Sequence, residues 1–228
     1  MNPAFGYIDE NLKRIFHNVG EAKAKYRSPD DNIRIMAVTK TVAPEKVNYA
    51  LSKGLDLIGE NRVQEYLSKK DFYDDAEIHF IGHLQTNKVK YIADSVSVIQ
   101  SVDSLKLASE INRCAKKIGK VQDILIEVNI GGEESKSGIP ADKAEELILQ
   151  VSELDNINVR GMMTIPPAVD SEEFLYKMQC LYIDICSKKI DNINMDILSM
   201  GMSGDYAPAV KYGSNILRIG RAIFGERI

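Results

Sequence analysis

Apolar positions along the chain fall into two kinds of pattern that take turns. The opening stretch carries Ile8, Leu12, Ile15 and Val19 at steps of four, three and four, which places them on one face of a helix. After it, short continuous apolar runs give way again and again to amphipathic segments. IRIMAVTK precedes a helix with Pro44 in its first turn, Val47, Ala50 and Leu51 inward and Gly54 at its end. LDLIGEN leads into Val63, Tyr66 and Leu67, and IHFIGHLQTNK into a further helix through Val89, Ile92 and Ala93. SVIQSVDS precedes a helix carrying Leu105, Ala108, Ile111, Ala115 and Ile118, with Asp103 or Ser104 available to cap it.

The second half repeats the alternation. DILIEVNIGGEESKSGIP is a strand with a long polar loop before Ala144, Leu147, Ile148 and Val151, and VRGMMTIPPAVDS leads to Phe174, Met178, Leu181 and Ile185. MDILSMGMSGD leads to a short segment ending near Gly213, and NILRIGRAIFG closes the series. Near-continuous apolar strands alternating with helices belong to parallel sheets covered on both faces. Eight strand candidates predict a TIM-type (β/α)8 barrel with an extra N-terminal helix. An open doubly wound sheet shows the same alternation, but such sheets more often have five or six strands, and no G-x-G-x-x-G follows the first strand here. No linker, low-complexity tract or long repeat divides residues 1–228, so one domain is expected.

Composition removes several function classes. With 44% hydrophobic and 27% charged residues the chain reads as ordered, and a net charge of −4 gives no general attraction to nucleic acid or anionic membranes. No run approaches the ~18 apolar residues of a membrane span, and MNPAFGYIDENLKRIFHNV has charges where a secretory signal would have its apolar core. A cytoplasmic protein without nucleic-acid or membrane partners is expected. Cys114, Cys180 and Cys186 are odd in number, form no C-x-x-C pair and read as reduced packing residues on helices. His17, His79 and His83 lack ligand spacing, and no metal site is expected.

In a barrel of this type the working residues sit at the C-terminal ends of the strands, often with a phosphate site in the loops after strands seven and eight. Strand seven runs into Gly201-Met202-Ser203-Gly204-Asp205, where Ser203 can donate its hydroxyl to an anion. Strand eight runs into Arg218-Ile219-Gly220-Arg221, where Gly220 can expose backbone N–H groups to the same oxygens. A Gly-rich strand end alone is more often only a turn. Closure of the barrel would set the end of strand one, IMAVTK, beside strand eight. By itself Lys40 is a strand-end lysine solvating its ammonium; next to a phosphate cup it is what pyridoxal phosphate requires, an amine for the aldehyde beside an anchor for the ester.

The ordered motifs AVTKT, GENRVQE, HFIGHLQTNK, SVDSLKLA, VNIGGEESKSGI, GMMTIP, SMGMSGD and RIGRAIFGER run from the first helix to Arg227. Taken together they closely resemble the pyridoxal-phosphate homeostasis protein family, single-domain relatives of the alanine racemase barrel. The resemblance implies that Lys40 carries pyridoxal 5'-phosphate as a Schiff base. It further implies that Ser203 and the backbone around Gly220 and Arg221 hold the phosphate and that Arg218 faces the pyridine nitrogen. Asn61, in GEN after strand two, matches the family's polar residue beside the cofactor, or is a strand-end turn residue. His83 and Met163 line the mouth or, more often for such positions, pack in the interior. Relatives often carry serine or threonine where this chain has Arg221, so no side-chain hydroxyl contact to phosphate is expected there, while the backbone contact survives.

Two classes of function follow. The first is a non-catalytic keeper of pyridoxal phosphate, acting in cofactor homeostasis as a monomer and supplying PLP-dependent apo-enzymes; this is what the resemblance implies. The alternative is an amino-acid racemase on the same barrel. Racemase relatives place a second acid/base, a tyrosine, in an additional β domain, whereas all 228 residues here are consumed by the barrel and its opening helix. An arginine facing the ring nitrogen also leaves the ring a poorer electron sink. A Schiff-base aldolase would use the same lysine and cup but lacks the motifs.

Overall fold

Apolar strands that need cover on two faces receive it here by closing the sheet on itself. The computed structural model describes residues 5–226. Its barrel strands are β1 (Arg34–Val38), β2 (Leu57–Glu60), β3 (Glu77–Phe80), β4 (Val98–Val102), β5 (Gln122–Asn129), β6 (Ile157–Thr164), β7 (Ile193–Ser199) and β8 (Ile216–Ile219). They pair in parallel in chain order, and Arg34 to Ala37 of β1 take Ile216 to Ile219 of β8 as partners, which closes the ring. Closure excludes the open doubly wound sheet. A two-residue strand, Ile139–Pro140, adds to the end of β5 and ties back the polar loop that follows it.

Alternation along each strand sends one set of side chains into the barrel and the other to the helices. Met36, Leu57, Ile81, Val98, Leu125, Met163, Ile197 and Ile216 fill the interior. The larger outer core packs the opposite faces against α1 (Gly6–Tyr26), α2 (Pro44–Leu51), α3 (Val63–Lys69), α4 (Leu105–Lys117), α5 (Ala144–Ser152), α6 (Ser171–Ser187), α7 (Tyr206–Lys211) and α8 (Arg221–Phe224). Pro44 opens α2, where its missing N–H costs nothing, and Ser104 caps α4 by accepting the N–H of Leu107.

The extra helix α1 belongs to the outer ring. Ile8, Leu12, Ile15 and Val19 are buried, each such side chain being worth about 1.5–3 kcal/mol. The helix lies against α7 and α8. Asn11 donates to the carbonyl of Ile223 at 3.0 Å and Asn18 to the Tyr206 hydroxyl at 2.8 Å. It therefore braces the two short helices that follow β7 and β8.

The structure departs from the sequence pattern in a few places. The link from β3 to β4 holds a 3-10 stretch, Thr86–Tyr91, rather than an α-helix. Val89 within it and Ile92 and Ala93 just after it are buried, but they offer too short an apolar face to sustain a longer helix. Leu105 and Ile118, at the two ends of the α4 pattern, are exposed. Of the cysteines only Cys114 is buried; Cys180 lies on the outer face of α6 and is exposed, so it is not a packing residue. Among the described residues no helix is long and apolar enough to cross a membrane, and no group of three or more His, Cys, Asp or Glu is placed to hold a metal.

Candidate functional site

Strand period brings Lys40 into the mouth of the barrel. Met36 and Val38 face the interior, and Lys40 continues that alternation two residues beyond β1. The turn that carries it is held from behind. Thr41 adopts φ 64°, an unfavourable conformation for a β-branched residue, and its N–H donates to the Glu65 carboxylate at 2.5 Å. Lys69 pairs with the same Glu65 oxygen at 2.5 Å and donates to the carbonyl of Thr39 at 3.3 Å. One ion pair on α3 thus grips the backbone on both sides of Lys40.

All six residues singled out in the sequence, Lys40, Asn61, Ser203, Arg218, Gly220 and Arg221, line a single cavity of about 350 Å³ at the C-terminal end of the strands. That is the size range of small-molecule sites. Val38, Ile81, Ile165 and Pro166 supply apolar wall. Gly82 is needed for Asn61 to stand where it does, since a Cβ there would come within 2.1 Å of the Asn61 carbonyl oxygen.

The two C-terminal loops are tied together. The Asp205 carboxylate accepts the N–H of Met202 at 2.6 Å, and the Met202 carbonyl accepts from the N–H groups of Asp205 and Tyr206. Gly201, at φ 91°, turns the chain into this loop. Ser203 Oγ accepts the N–H of Ala222 at 3.1 Å, which joins the loop after β7 to the segment after β8 and leaves the hydroxyl proton free to donate. The Arg221 guanidinium stands in solvent beside Glu226 at 3.8 Å, so this residue offers the cavity its backbone.

Electrostatics at the mouth are unbalanced. Arg218 is 4% exposed. It donates to Ser199 Oγ at 2.8 Å and to the Thr164 carbonyl at 2.7 Å, both neutral groups. Burial pulls its pKa down to about 10, with Glu127 and Asp205 pulling the other way. Glu127 points into the same interior; burial, reinforced by Asp103 and opposed by Arg218, pushes its carboxyl up to about 7. The Asn61 side-chain oxygen is buried without a hydrogen-bond partner among the described residues, a cost of about 1–3 kcal/mol that a polar ligand would relieve.

Two further candidates separate. Met163 is fully buried in the barrel interior, the packing role expected of it. His83 is exposed and does not line the cavity, so neither the packing nor the lining role holds; the chain has already left the barrel wall at Gly82. Ser199, Gln100, Glu127 and Asp205 were missed. The first three were legible as polar residues at inward positions of otherwise apolar strands; Asp205 carried no signal beyond its place in the loop.

Comparison with known proteins bears on the same set. Residues 11–228 match the alanine racemase N-terminal domain family. A protein of Aquifex aeolicus named pyridoxal phosphate homeostasis protein is 40% identical over 224 residues, 96% of this chain and 97% of its own length. The chain belongs to the pyridoxal phosphate homeostasis protein family. A solved structure of similar fold, PipY of Synechococcus elongatus with PLP bound, superposes with a TM-score of 0.80 at 26% identity, covering 96% of this chain and all of PipY (100%). An alanine racemase of Clostridium difficile shares the barrel alone, with a TM-score of 0.75 at 20% identity over 96% of this chain and 57% of the racemase.

Proposed function

We propose that this chain binds pyridoxal 5'-phosphate in the mouth of its barrel and holds it in reserve for other proteins, without efficient catalysis of its own. The observation that carries the reading is the convergence of a lysine amine, a serine hydroxyl tied between two loops and a buried arginine on one cavity. The names of the homeostasis relatives and the PLP bound to PipY support it.

The residues present fit this cofactor. When bound, it supplies an aldehyde, a phosphate ester and a pyridine ring. Lys40 Nζ is the amine that tethers the aldehyde as a Schiff base. Ser203 donates its free hydroxyl proton to the phosphate, and the backbone at Gly220 and Arg221 completes the cup. Arg218 faces the pyridine nitrogen as a donor. Even with its pKa near 10 the guanidinium keeps its proton at neutral pH, so it does not protonate the ring. The partnerless oxygen of Asn61 stands beside the cofactor as an open acceptor. In this reading the chain works as a cytoplasmic monomer, and PLP-dependent apo-enzymes receive what it releases.

Racemisation is the competing reading, because the barrel is shared with an alanine racemase. It needs a second acid/base across from the lysine. Among the described residues that line the cavity there is no tyrosine, histidine or cysteine, and the one carboxylate, Asp205, is engaged by the N–H of Met202.

The test is to load the protein with pyridoxal phosphate, reduce with borohydride and map the added mass. Its appearance on the Lys40 peptide, with transfer of unreduced cofactor to an apo-enzyme and negligible exchange of alanine or serine stereochemistry over hours, is expected. Trapping chiefly on another lysine would remove Lys40 from its role. Racemase turnover near the ordinary enzyme median of ~10 s⁻¹ would replace the keeper with the enzyme.

A further inference from the structure

A line of polar side chains crosses the inside of the barrel behind the cavity. Arg218 Nη1 lies 2.8 Å from Ser199 Oγ, and Ser199 Oγ 2.7 Å from Gln100 Oε1. Gln100 Nε2 lies 2.7 Å from His79 Nδ1, and His79 Nε2 2.7 Å from Glu77 Oε1. The second Glu77 oxygen takes the Arg34 guanidinium at 2.5 Å at the opposite end of the barrel. Five strands contribute: β8, β7, β4, β3 and β1. Each member is an inward residue, in step with Ile216, Ile197, Val98, Ile81 or Met36 on its own strand.

The two ends of this line fix the direction of every bond in it. A guanidinium can only donate and an ionised carboxylate can only accept. Ser199 therefore accepts from Arg218 and has its own proton left for Gln100 Oε1. That orientation of the amide turns Nε2–H toward His79, so Nδ1 must be the bare nitrogen and the ring proton sits on Nε2, donated to Glu77. A proton on Nδ1 would face the amide N–H; flipping the amide to receive it would turn the NH2 to Ser199 Oγ, which would then accept from both sides and leave its own proton without an acceptor in the line. No second arrangement satisfies all the members. Burial favours the neutral imidazole that the line requires, against the pull of the Glu77 carboxylate, while Arg34 and Arg160 act in the same direction as burial.

We propose that Ser199, Gln100, His79 and Glu77 form a one-way positioning relay that locks the Arg218 guanidinium in the orientation it presents to the cavity. This deepens the reading above and rests on it, since the group presented is the donor to the pyridine nitrogen. The physical need is specific. A buried guanidinium whose direct partners among the described residues are a hydroxyl and a carbonyl has no carboxylate fork there to hold its plane. A rotatable hydroxyl is a poor clamp unless its own proton is fixed, and the amide and imidazole behind it fix that proton.

The first test uses the unmutated protein without ligand. With 15N-labelled histidine, His79 should show the neutral tautomer with the proton on Nε2 at neutral pH; an Nδ1–H tautomer or an imidazolium would overturn the relay. The second compares pyridoxal phosphate with its carbocyclic analogue, in which C–H replaces the pyridine nitrogen. Gln100→Leu should weaken binding of pyridoxal phosphate about three- to tenfold, the effect of one displaced hydrogen bond, and leave the analogue unchanged. Equal loss for both ligands would mean that Gln100 only packs the barrel, and would sink the proposal. Should Gln100→Leu not fold, Ser199→Ala, smaller by one hydroxyl, carries the same comparison. Failure of the unmutated protein to bind pyridoxal phosphate at all would overturn the cofactor reading and the relay's purpose together. That outcome is told apart from failure of the relay alone by the tautomer, which is read without ligand.

Discussion

The two ends of the barrel treat their charged groups in opposite ways. At the end where the strands begin, charges meet charges: Arg34 pairs with Glu77 and Asp56, and Arg160 with Asp123 and Asp196. At the end where they finish, Arg218 meets only neutral acceptors among the described residues. Among the described residues, Glu127 has no opposite charge in hydrogen-bond contact and the Asn61 oxygen has no partner. Two carboxyls on the inward face show the result. Glu77 is held down to about 2, first by its hydrogen bond from His79 and then, against burial, by Arg34. Glu127 is pushed up to about 7 by burial. One end has used its bonding capacity to hold the barrel together; the other has kept capacity in reserve, as the proposed cofactor site requires.

Breaking the reserved end should produce the largest effects. Lys40→Ala is expected to abolish covalent trapping of pyridoxal phosphate by borohydride while unfolding stability changes by no more than about 0.5 kcal/mol, because the side chain is only partly buried and anchors no core contact. Denaturant titration alongside mass mapping checks both halves of this expectation. Ser203→Ala should weaken cofactor binding about ten- to a hundredfold, the cost of one charge-assisted hydrogen bond. An unchanged dissociation constant would take Ser203 out of the cup.

The two carboxyls sharpen the comparison because their pH dependences carry opposite signs. The folded-state pKa of Glu127 lies above its ordinary value, so its contribution to stability is present in acid and fades as pH rises from about 4.5 through 7. Glu127→Gln should therefore be more stable than the unmutated protein at pH 8, by about 1–3 kcal/mol, with the gap closing in acid. Glu77 behaves in reverse: its folded-state pKa is depressed, so its contribution is present at neutral pH and is lost as pH falls from about 4.5 toward 2. Glu77→Gln should cost about 1–2 kcal/mol at pH 7, a figure reduced for the third of the side chain that water reaches, with the difference shrinking in acid. Urea unfolding of each variant at a series of pH values reads both. Parallel pH dependences in the two variants would erase the contrast between the ends.

Much of this was readable from residue order, and the exceptions have physical causes. Strand count, the parallel sheet and the existence of α1 follow from periodicity, which is local. The six cavity residues could be named because barrel topology sends strand ends to one rim and because several ordered motifs matched a family. The relay could not be read in the same way. Gln100 and Ser199 are 99 residues apart in the chain and 2.7 Å apart in the fold. Each looks like an isolated polar interruption of an apolar strand until the ring closes. His79 was noticed only as lacking metal-ligand spacing, since its partners, Glu77 apart, lie on other strands. His83 shows the opposite error: its motif drew attention, but Gly82 had already turned the chain out of the wall.

By itself the sequence determined which residues alternate, hence which face of each strand is apolar, that the strands number eight, and that Lys40, Ser203 and Arg218 sit at strand ends. These are consequences of period and spacing, and they need no contact between distant segments. Only the tertiary structure decided how the inward residues meet. Ring closure sets β1 against β8 and leaves room across the interior for side chains from β3, β4, β7 and β8 to touch. Closure then changes what those side chains are chemically: burial raises one carboxyl and shifts a histidine toward its neutral form, while hydrogen-bonded partners lower another carboxyl against burial, because the dielectric and the partners around a group exist only once the chain has closed around it.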